Sequence, residues 1–260
     1  MTSDVVRHMD PRLKDALDED ARQRLRVMAE EIAAEPARIR VHHPAAARTV
    51  GRGPLEPSDP AGLHGPTVDD AVRAVLVAAL ASALQQDGEA LVGEVSDLYR
   101  YGDADEKRAV VRALHLLDIG DAGLPLVADA LRTNDIRLVA AALGPYGGER
   151  LPDDAWRQGV LKCLFVEVPL TAVSRLDERC DAELAGMVAA YAHERVAAAR
   201  AVPADVWLVL RRHPESLDRT PVRRELESPY PDRRAAARAF FDHGRATAAT
   251  DHATPGTKEA

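Results

Sequence analysis

The stretch that decides the fold runs from Thr133 to Phe165 and reads TNDIRLVAAALGPYGGERLPDDAWRQGVLKCLF. It predicts two helices joined by a turn that contains Pro145, Gly147 and Gly148. Apolar residues in its first half recur at helical rather than alternating spacing. The glycines and the proline then indicate the end of the first helix, because proline cannot continue the backbone hydrogen-bond ladder.

The second of these helices begins near Pro152, followed by two aspartates that suit the positive end of the helix dipole. Gly159 lowers its helix propensity by about 1 kcal/mol relative to alanine, so we expect another helix to pack closely there. The same helix carries Arg157 and Lys162. Lys162 either lays its stem along apolar surface with its charge in water, or holds an anionic ligand together with Arg157.

The composition favours a helical protein. Of the 260 residues, 46% are hydrophobic but only 4% are aromatic, and alanine, leucine and valine supply the difference. This balance argues against a β-sandwich or barrel, which would use more β-branched and aromatic residues. A formal net charge of −8 makes a general nucleic-acid surface unexpected.

Cysteine usage and hydropathy indicate a cytoplasmic protein. Cys163 and Cys180 are too few for a disulfide framework and too far apart for a CxxC metal site, so we expect reduced thiols. We interpret Cys163 as a small core residue. Residues 1–20 are charged throughout and lack the apolar region of a secretory signal. The longest apolar run, Ala74–Leu84, is too short to span a membrane, so no membrane insertion is expected.

The order of segments predicts four parts. Residues 1–66 contain N-terminal helices and then a loop rich in glycine and proline over 35–66, which is too long to be ordinary and is either functional or disordered. Residues 67–212 form a core of helical hairpins. A polar helical extension covers 213–245, and a disordered tail covers 246–260.

The core is predicted to be all-α. Thr67, Asp69 and Asp70 mark the start of a helix that is apolar nearly all round, so we expect it to be central and buried. Asp103 with Glu106 marks another helix start through a capping-box arrangement. The predicted fold is an irregular stack of antiparallel helical hairpins, similar to HEAT repeats or another α-solenoid, with flexible termini.

The sequence contains no familiar catalytic motif. There is no GxGxxG after a strand, no Walker-type loop, no HExxH, no GxSxG and no kinase signature. His42 and His43 are adjacent beside Pro44, which predicts a loop rather than a metal site. His115 is interpreted as a satisfied, partly buried side chain. We therefore expect no metal and no cofactor, and catalytic residues stay unknown.

Three segments are candidates for a ligand or partner site. The first is an arginine between Gly51 and Gly53, where the backbone can bend and present a guanidinium. The second pairs a tyrosine with an arginine, which either grips a phosphate or carboxylate or complements a helix C-terminus. The third lies on the helix after Pro152. The candidate residues are Arg52, Tyr99, Arg100, Trp156, Arg157 and Lys162.

Five segments together resemble the EboA family, over roughly residues 45–212. They are VGRGPL at 50–55, LYRYGDADEKRAVVRALHLL at 98–117, TNDIRLVAAALGPY at 133–146, WRQGVLKCLFVEVPL at 156–170 and AELAGMVAAYAHER at 182–195. The resemblance implies an all-helical protein with no established activity. It also implies a gene neighbourhood with a prenyltransferase, a TatD-like metal hydrolase, a dehydroquinate-synthase-like cyclase, a sugar-isomerase-like protein and a phosphatase-like protein.

That neighbourhood suggests a pathway that makes or exports a prenylated cyclitol-type metabolite, and it supplies no catalytic residues. The preferred hypothesis is a non-catalytic accessory or interaction protein, a helical scaffold whose partners are proteins of the same operon. The alternative is a small-molecule binding protein or enzyme that acts on a phosphorylated cyclitol or prenyl-phosphate intermediate through an Arg/Lys pocket. Whether the protein is an enzyme stays open, with no activity favoured, and no nucleic-acid partner is expected.

Overall fold

A computed structural model describes the backbone of residues 10–251 and the side chains of residues 10–246. This part of the chain is all-α, as predicted, and contains no β-strand. One isolated antiparallel bridge joins Pro54 to Thr67. The finer expectation, a HEAT-like stack of hairpins, stays a prediction.

Fourteen α-helices lie in the described residues, connected by short 3₁₀ segments. They are α1 (Pro11–Ala16), α2 (Glu19–Ala34), α3 (Ile39–Thr49), α4 (Val68–Ala83), α5 (Gly88–Tyr101), α6 (Ala104–Ala113), α7 (Leu124–Arg132), α8 (Ile136–Ala142), α9 (Pro145–Arg150), α10 (Asp153–Val166), α11 (Leu176–Arg179), α12 (Ala182–Ala197), α13 (Val206–Leu210) and α14 (Pro231–Asp251). The 3₁₀ segments are Pro36–Arg38, Leu114–Leu116, Gly120–Gly123, Leu170–Ala172, Pro214–Arg219 and Pro221–Glu227.

The helices form two compact units. The first extends to Val168 and includes Ala172–Ser174, and the second comprises Pro169–Thr171 and continues from Arg175. This division differs from the four segments predicted from the sequence, which stay a prediction.

Helix α4 is the centre of the first unit, as its apolar composition predicted. Thr67 caps it, and a reciprocal capping box joins the Thr67 side chain and backbone to Asp70. The helix packs against α2, α3 and α6, while α6 also packs against α5 and α8. Ten residues of α4 besides Asp70 are buried, including Asp69 and Arg73. Two acids and an arginine thus lie within the core, which the apolar pattern did not indicate.

The turn predicted between the two helices of the central stretch is wrong, because residues 145–150 form the short helix α9. Pro145 occupies its first turn, where a missing N–H costs nothing. A Cβ on Gly147 would lie 1.9 Å from the carbonyl oxygen of Ala142. Glycine is required there because α9 begins so close to the end of α8.

Helix α10 confirms two interpretations of the sequence. Pro152 is its N-cap residue, and a Cβ on Gly159 would lie 2.9 Å from the Leu143 side chain, so the predicted close approach exists. Cys163 is fully buried. Burial raises the pKa of the Cys163 thiol to about 12. A reactive thiolate is therefore disfavoured, as expected for a core residue.

The loop predicted over 35–66 is wrong in its first half, where α3 forms with Pro44 inside it. Proline removes a hydrogen bond and costs roughly 3 kcal/mol in a helix interior. The helix persists because Ile39, His43 and Ala46 are buried, and α3 packs on α4. Propensity alone cannot reveal such tertiary compensation.

In the second unit, α12 packs against α13 and α14. The Trp207 and Phe240 rings stack with centroids 4.7 Å apart, and Phe241 is also buried. Helix α14 continues to Asp251, so the predicted disordered tail is wrong for residues 246–251. The rest of that tail and residues 1–9 lie outside the described residues.

His43 is a buried polar side chain that α3 presents to the core. Its exposed fraction is 0%, and neither ring nitrogen has a hydrogen-bond partner among the described residues. Burial, followed by the charge of Arg73, lowers the pKa of His43 to about 3, from an ordinary value of 6.5. The unfolded chain therefore binds a proton that the folded chain excludes, and stability falls as the pH drops through this window.

We expect His43→Leu to raise the free energy of unfolding by about 1 kcal/mol at neutral pH, because it removes two unsatisfied polar atoms. That gain should grow by about 1 kcal/mol between roughly pH 7.5 and pH 5.5, because the variant loses the proton linkage. Urea denaturation at the two pH values measures both effects. A variant that is less stable, or a gain independent of pH, contradicts this account of His43.

Candidate small-molecule binding site

Two carboxylates in the first turn of α4 are buried and paired with arginines. Asp70 accepts from Nε of Arg108 on α6 at 2.8 and 3.0 Å. Asp69 Oδ2 lies 2.8 Å from Nη1 of Arg73, one turn further along α4. Thr67 Oγ1 donates to Asp69 at 2.9 Å and accepts from Arg108 at 3.1 Å. These bonds form a charged network that joins α4 to α6 inside the core.

Two arginines of α6, Arg108 and Arg112, belong to this network, and their pKa values shift in opposite directions. Burial alone would lower the pKa of Arg108, but its hydrogen bond to Asp70 and the charges of Asp70, Asp105 and Asp69 raise it. For Arg112, burial outweighs the attraction of Asp70 and lowers the pKa. Arg112 Nε lies 3.5 Å from Asp70 and makes no hydrogen bond among the described residues.

Arg112 is instead held by the loop before α4. Its Nη2 donates to the carbonyl oxygens of Gly62 and Leu63. These two acceptors are neutral, so they orient the guanidinium without balancing its charge.

The sequence predicts that this loop is either functional or disordered, and in the structure it forms an ordered turn. The Asp59 carboxylate accepts backbone N–H bonds from Leu63, His64 and Gly65 at 2.8–3.0 Å. Burial tends to raise the pKa of Asp59, but these three donors outweigh it and lower the pKa. Gly62 has a φ of +66°, which favours glycine.

One cavity of about 780 Å³ lies against α4, and we call it the α4 cavity. Its volume is typical of small-molecule sites. The apolar part of the lining comes from α4, α1 and the segment after α6. It includes Leu13, Ala71, Ala74, Val75, Ala78 and Leu116, together with Pro66 before α4 and Pro145 at the start of α9.

Seven polar side chains also line the α4 cavity, and several of them are paired with each other or with the backbone: Asp10, Arg12, His64, Asp70, Ser82, Arg112 and His115. Arg12 forms an ion pair with Asp10 at 2.7 Å. Ser82 donates to the Ala78 carbonyl at 3.0 Å, within its own helix. His115 is exposed, so the predicted partial burial is wrong. Its Nδ1 lies 2.7 Å from the Arg112 carbonyl, which can only accept. The hydrogen bond therefore assigns the proton to Nδ1 and leaves Nε2 for a ligand.

A second cavity of about 870 Å³, the polar cleft, lies where α3, α4, α6 and the loop after α3 meet. Five arginines and four carboxylates line it. They are Arg48, Arg52, Arg73, Arg108, Arg137, Asp69, Asp103, Asp105 and Glu106. Asp105 connects two of the arginines, at 2.7 Å from Arg108 and 2.9 Å from Arg137. Arg48 and Arg52 have no hydrogen bond or ion pair with another described residue.

The predicted site residues of the first two segments lie apart. Arg52 is exposed and lines the polar cleft. Tyr99 is buried and donates to Asp129 at 2.9 Å, and burial followed by this bond raises its pKa. Arg100 is exposed in the last turn of α5. The structure therefore does not place Tyr99 or Arg100 in either cavity.

The predicted residues on α10 also lie outside the linings of these two cavities. Trp156 is buried in the core. Arg157 pairs with Asp154 in the same helix at 2.8 Å, and Lys162 Nζ lies 3.5 Å from the amide oxygen of Asn134. Only the first of the six predicted residues therefore contributes to either cavity.

Residues 63–211 match the sequence model of a protein family that is described as metabolite traffic protein EboA. The chain belongs to the EboA family. No match was found among curated proteins or among solved structures. The match confirms the resemblance seen in the sequence, and it contains the whole network from Asp69 to Arg112.

No group of three or more His, Cys, Asp or Glu side chains is arranged to hold a metal ion in the described part of this EboA chain. The one serine of the α4 cavity, Ser82, bonds to its own helix and not to a base. Within residues 10–251, no helix combines the length and the apolar composition that a membrane span requires.

Sequence reasoning missed the residues at the centre of the site. In the sequence, Asp69 and Asp70 indicate only the start of a helix, and no local pattern distinguishes Arg108 and Arg112 from the other arginines. The sequence signal that could have indicated them is a spacing of four, which separates Asp69 from Arg73 and Arg108 from Arg112. Residues four apart lie on one face of a helix. That signal becomes specific only once α4 and α6 are known to pack together.

We expect Arg108→Met to lower the free energy of unfolding by about 3–5 kcal/mol, because Asp70 would remain buried without its main partner. Arg137→Met is the matched control, since its partner Asp105 is half exposed and such pairs contribute about 0–1 kcal/mol. Urea denaturation near neutral pH measures both variants. Similar small losses in the two would show that the network does not stabilise the α4–α6 contact.

Proposed function

We propose that this EboA chain is a non-catalytic accessory protein that binds a metabolite in the α4 cavity. The observation that carries the proposal is the combination of an apolar wall on α4 with one incompletely paired cation, Arg112. This is the composition of a binding site, which needs apolar surface for affinity and a few polar groups for orientation. Nothing in the cavity supplies a nucleophile held by a base.

The family description, metabolite traffic, supports this kind of role. We propose that the bound molecule belongs to secondary metabolism and is an intermediate of a prenylated cyclitol-type pathway. That part rests on the resemblance seen in the sequence. Proteins of the same operon are the proposed partners, which would deliver or receive the intermediate in the cytoplasm. Arg100, Arg157 and Lys162 are proposed as partner contacts.

A second candidate function is favoured by the polar cleft. Arg48 and Arg52 are not hydrogen-bonded to any described residue, so their donors are available to a phosphate. Under this candidate, a phosphorylated cyclitol or a prenyl phosphate binds there, with Arg52 as the cation that contacts the phosphate. Four carboxylates share the cleft and oppose an anion, whereas the α4 cavity has two, Asp10 and Asp70, each paired with an arginine, so we prefer the α4 cavity.

Filling the cavity tests the first proposal. Ala74 lines the α4 cavity, so Ala74→Phe should remove most of the space for a ligand. We expect the unmodified protein, purified from its native host, to carry a small molecule that mass spectrometry detects, and the variant to lose at least 90% of it, roughly 1.4 kcal/mol of binding. Ala83→Phe, on the same helix but outside the cavity lining, is the control and should retain it.

Replacing Arg52 separates the two candidates. If the metabolite lies in the α4 cavity, Arg52→Gln should leave the amount that copurifies unchanged, because Arg52 does not line that cavity. If the metabolite binds in the polar cleft through a phosphate, the same variant should lose it, whereas Ala74→Phe should not. Retention in both variants would contradict both candidates.

A further inference from the structure

We propose that the ligand of the α4 cavity is an apolar molecule with one anionic group, a carboxylate or a phosphate monoester, that binds Arg112. The inference rests on the proposed binding in this cavity and names the chemical class of what is bound. It follows from the charges of the buried network, from the partners of Arg112 and from the lining of the cavity.

The buried network contains more positive than negative groups. The side chains of Arg73, Arg108 and Arg112 are at most 12% exposed, and they face two buried aspartates that are at most 9% exposed. Asp69 pairs with Arg73, and Asp70 pairs with Arg108. Arg73 and Arg108 thus each have a carboxylate of their own.

Arg112 is the member without a carboxylate of its own. Its nearest one, Asp70, lies 3.5 Å away and already accepts two close contacts from Arg108. The hydrogen bonds that Arg112 makes to described residues go to two neutral carbonyl groups. A largely buried cation is costly unless an anion compensates it, so an anionic ligand group would complete the network.

The position of Arg112 directs that anion to the α4 cavity. Arg112 lines this cavity and not the polar cleft. The other arginine of the cavity, Arg12, is already neutralised by Asp10. An incoming anion therefore meets one guanidinium, that of Arg112, whose nearest carboxylate is shared with Arg108.

The wall that α4 contributes to the cavity favours an apolar body. The wall formed by Ala71, Ala74, Val75 and Ala78 offers no side-chain donor or acceptor. Ser82 bonds to the Ala78 carbonyl of its own helix. A ligand with many hydroxyl groups would leave them unsatisfied against this wall, whereas an apolar chain gains from contact with it.

The test uses three probes with the same alkyl chain: decanoate, decyl phosphate and decanol. Isothermal titration calorimetry on the full-length protein at neutral pH compares their affinities. We expect both anions to bind about 10- to 100-fold more tightly than decanol, as a charge-assisted contact provides. Arg112→Met keeps an apolar stem and should remove this preference while decanol still binds. Arg12→Met, at the paired arginine of the same cavity, should keep it.

The outcomes separate the ligand class from the function. Equal affinity of the unmodified protein for decanol and the two anions overturns the inference but leaves binding in the cavity intact. A preference that survives Arg112→Met and disappears in Arg12→Met also overturns it. If no probe binds while Ala74→Phe still loses the copurified metabolite, the class is wrong. If no probe binds and that variant keeps the metabolite, the proposed function fails as well.

If Arg112→Met does not fold, as circular dichroism would show, the three probes on the unmodified protein still decide the question. Decanol then measures the contribution of the apolar chain alone, and the two anions measure the added charge. A difference of less than about threefold between decanol and the anions overturns the inference.

Discussion

The ion pair between Asp70 and Arg108 is the constraint on which the first unit depends. Both side chains are almost fully removed from solvent, on the two helices that pack at its centre. Burying two charges costs several kcal/mol per ion, and only close geometry and additional hydrogen bonds recover it. Arg108 meets these conditions through Asp70, Asp105 and Thr67. The register of α4 against α6 is therefore fixed by directional contacts, whereas apolar packing alone tolerates sliding.

The same network gives the two cavities different characters. Asp70 and Arg112 line the α4 cavity, whereas Asp69, Arg73 and Arg108 line the polar cleft. In the polar cleft, the buried Arg73 and Arg108 each pair with a carboxylate. The cleft arginines that lack such a partner among the described residues, Arg48 and Arg52, are exposed. On the side of the α4 cavity, the unmatched cation lies deep against apolar surface, where a counter-charge is worth more than in water. The chemistry of each cavity thus follows from how charges are shared in the first turn of one helix.

The sequence predicted the elements better than the site. Helix starts such as Thr67 depend on residues close together in the chain, so the local sequence pattern predicts them. Gly159 likewise indicated a close contact, which the structure contains. Pro44 and Gly147 misled because packing on another helix decides their conformation. The site depends on residues 38 to 42 positions apart, such as Asp70 with Arg108. In a sequence with 34 basic and 42 acidic residues, no local signal selects that pair.

The proposed binding of a metabolite would gain from a binding group that is already in place before the ligand arrives. Arg112 is such a group because of the loop that precedes α4. The Asp59 carboxylate fixes the turn at Leu63–Gly65 through three backbone bonds, and the carbonyls beside it fix the Arg112 guanidinium. Less side-chain entropy is then lost on binding. The Gly- and Pro-rich segment, which reads as a weakly structured connection, is in this way the support that orients the cation of the cavity.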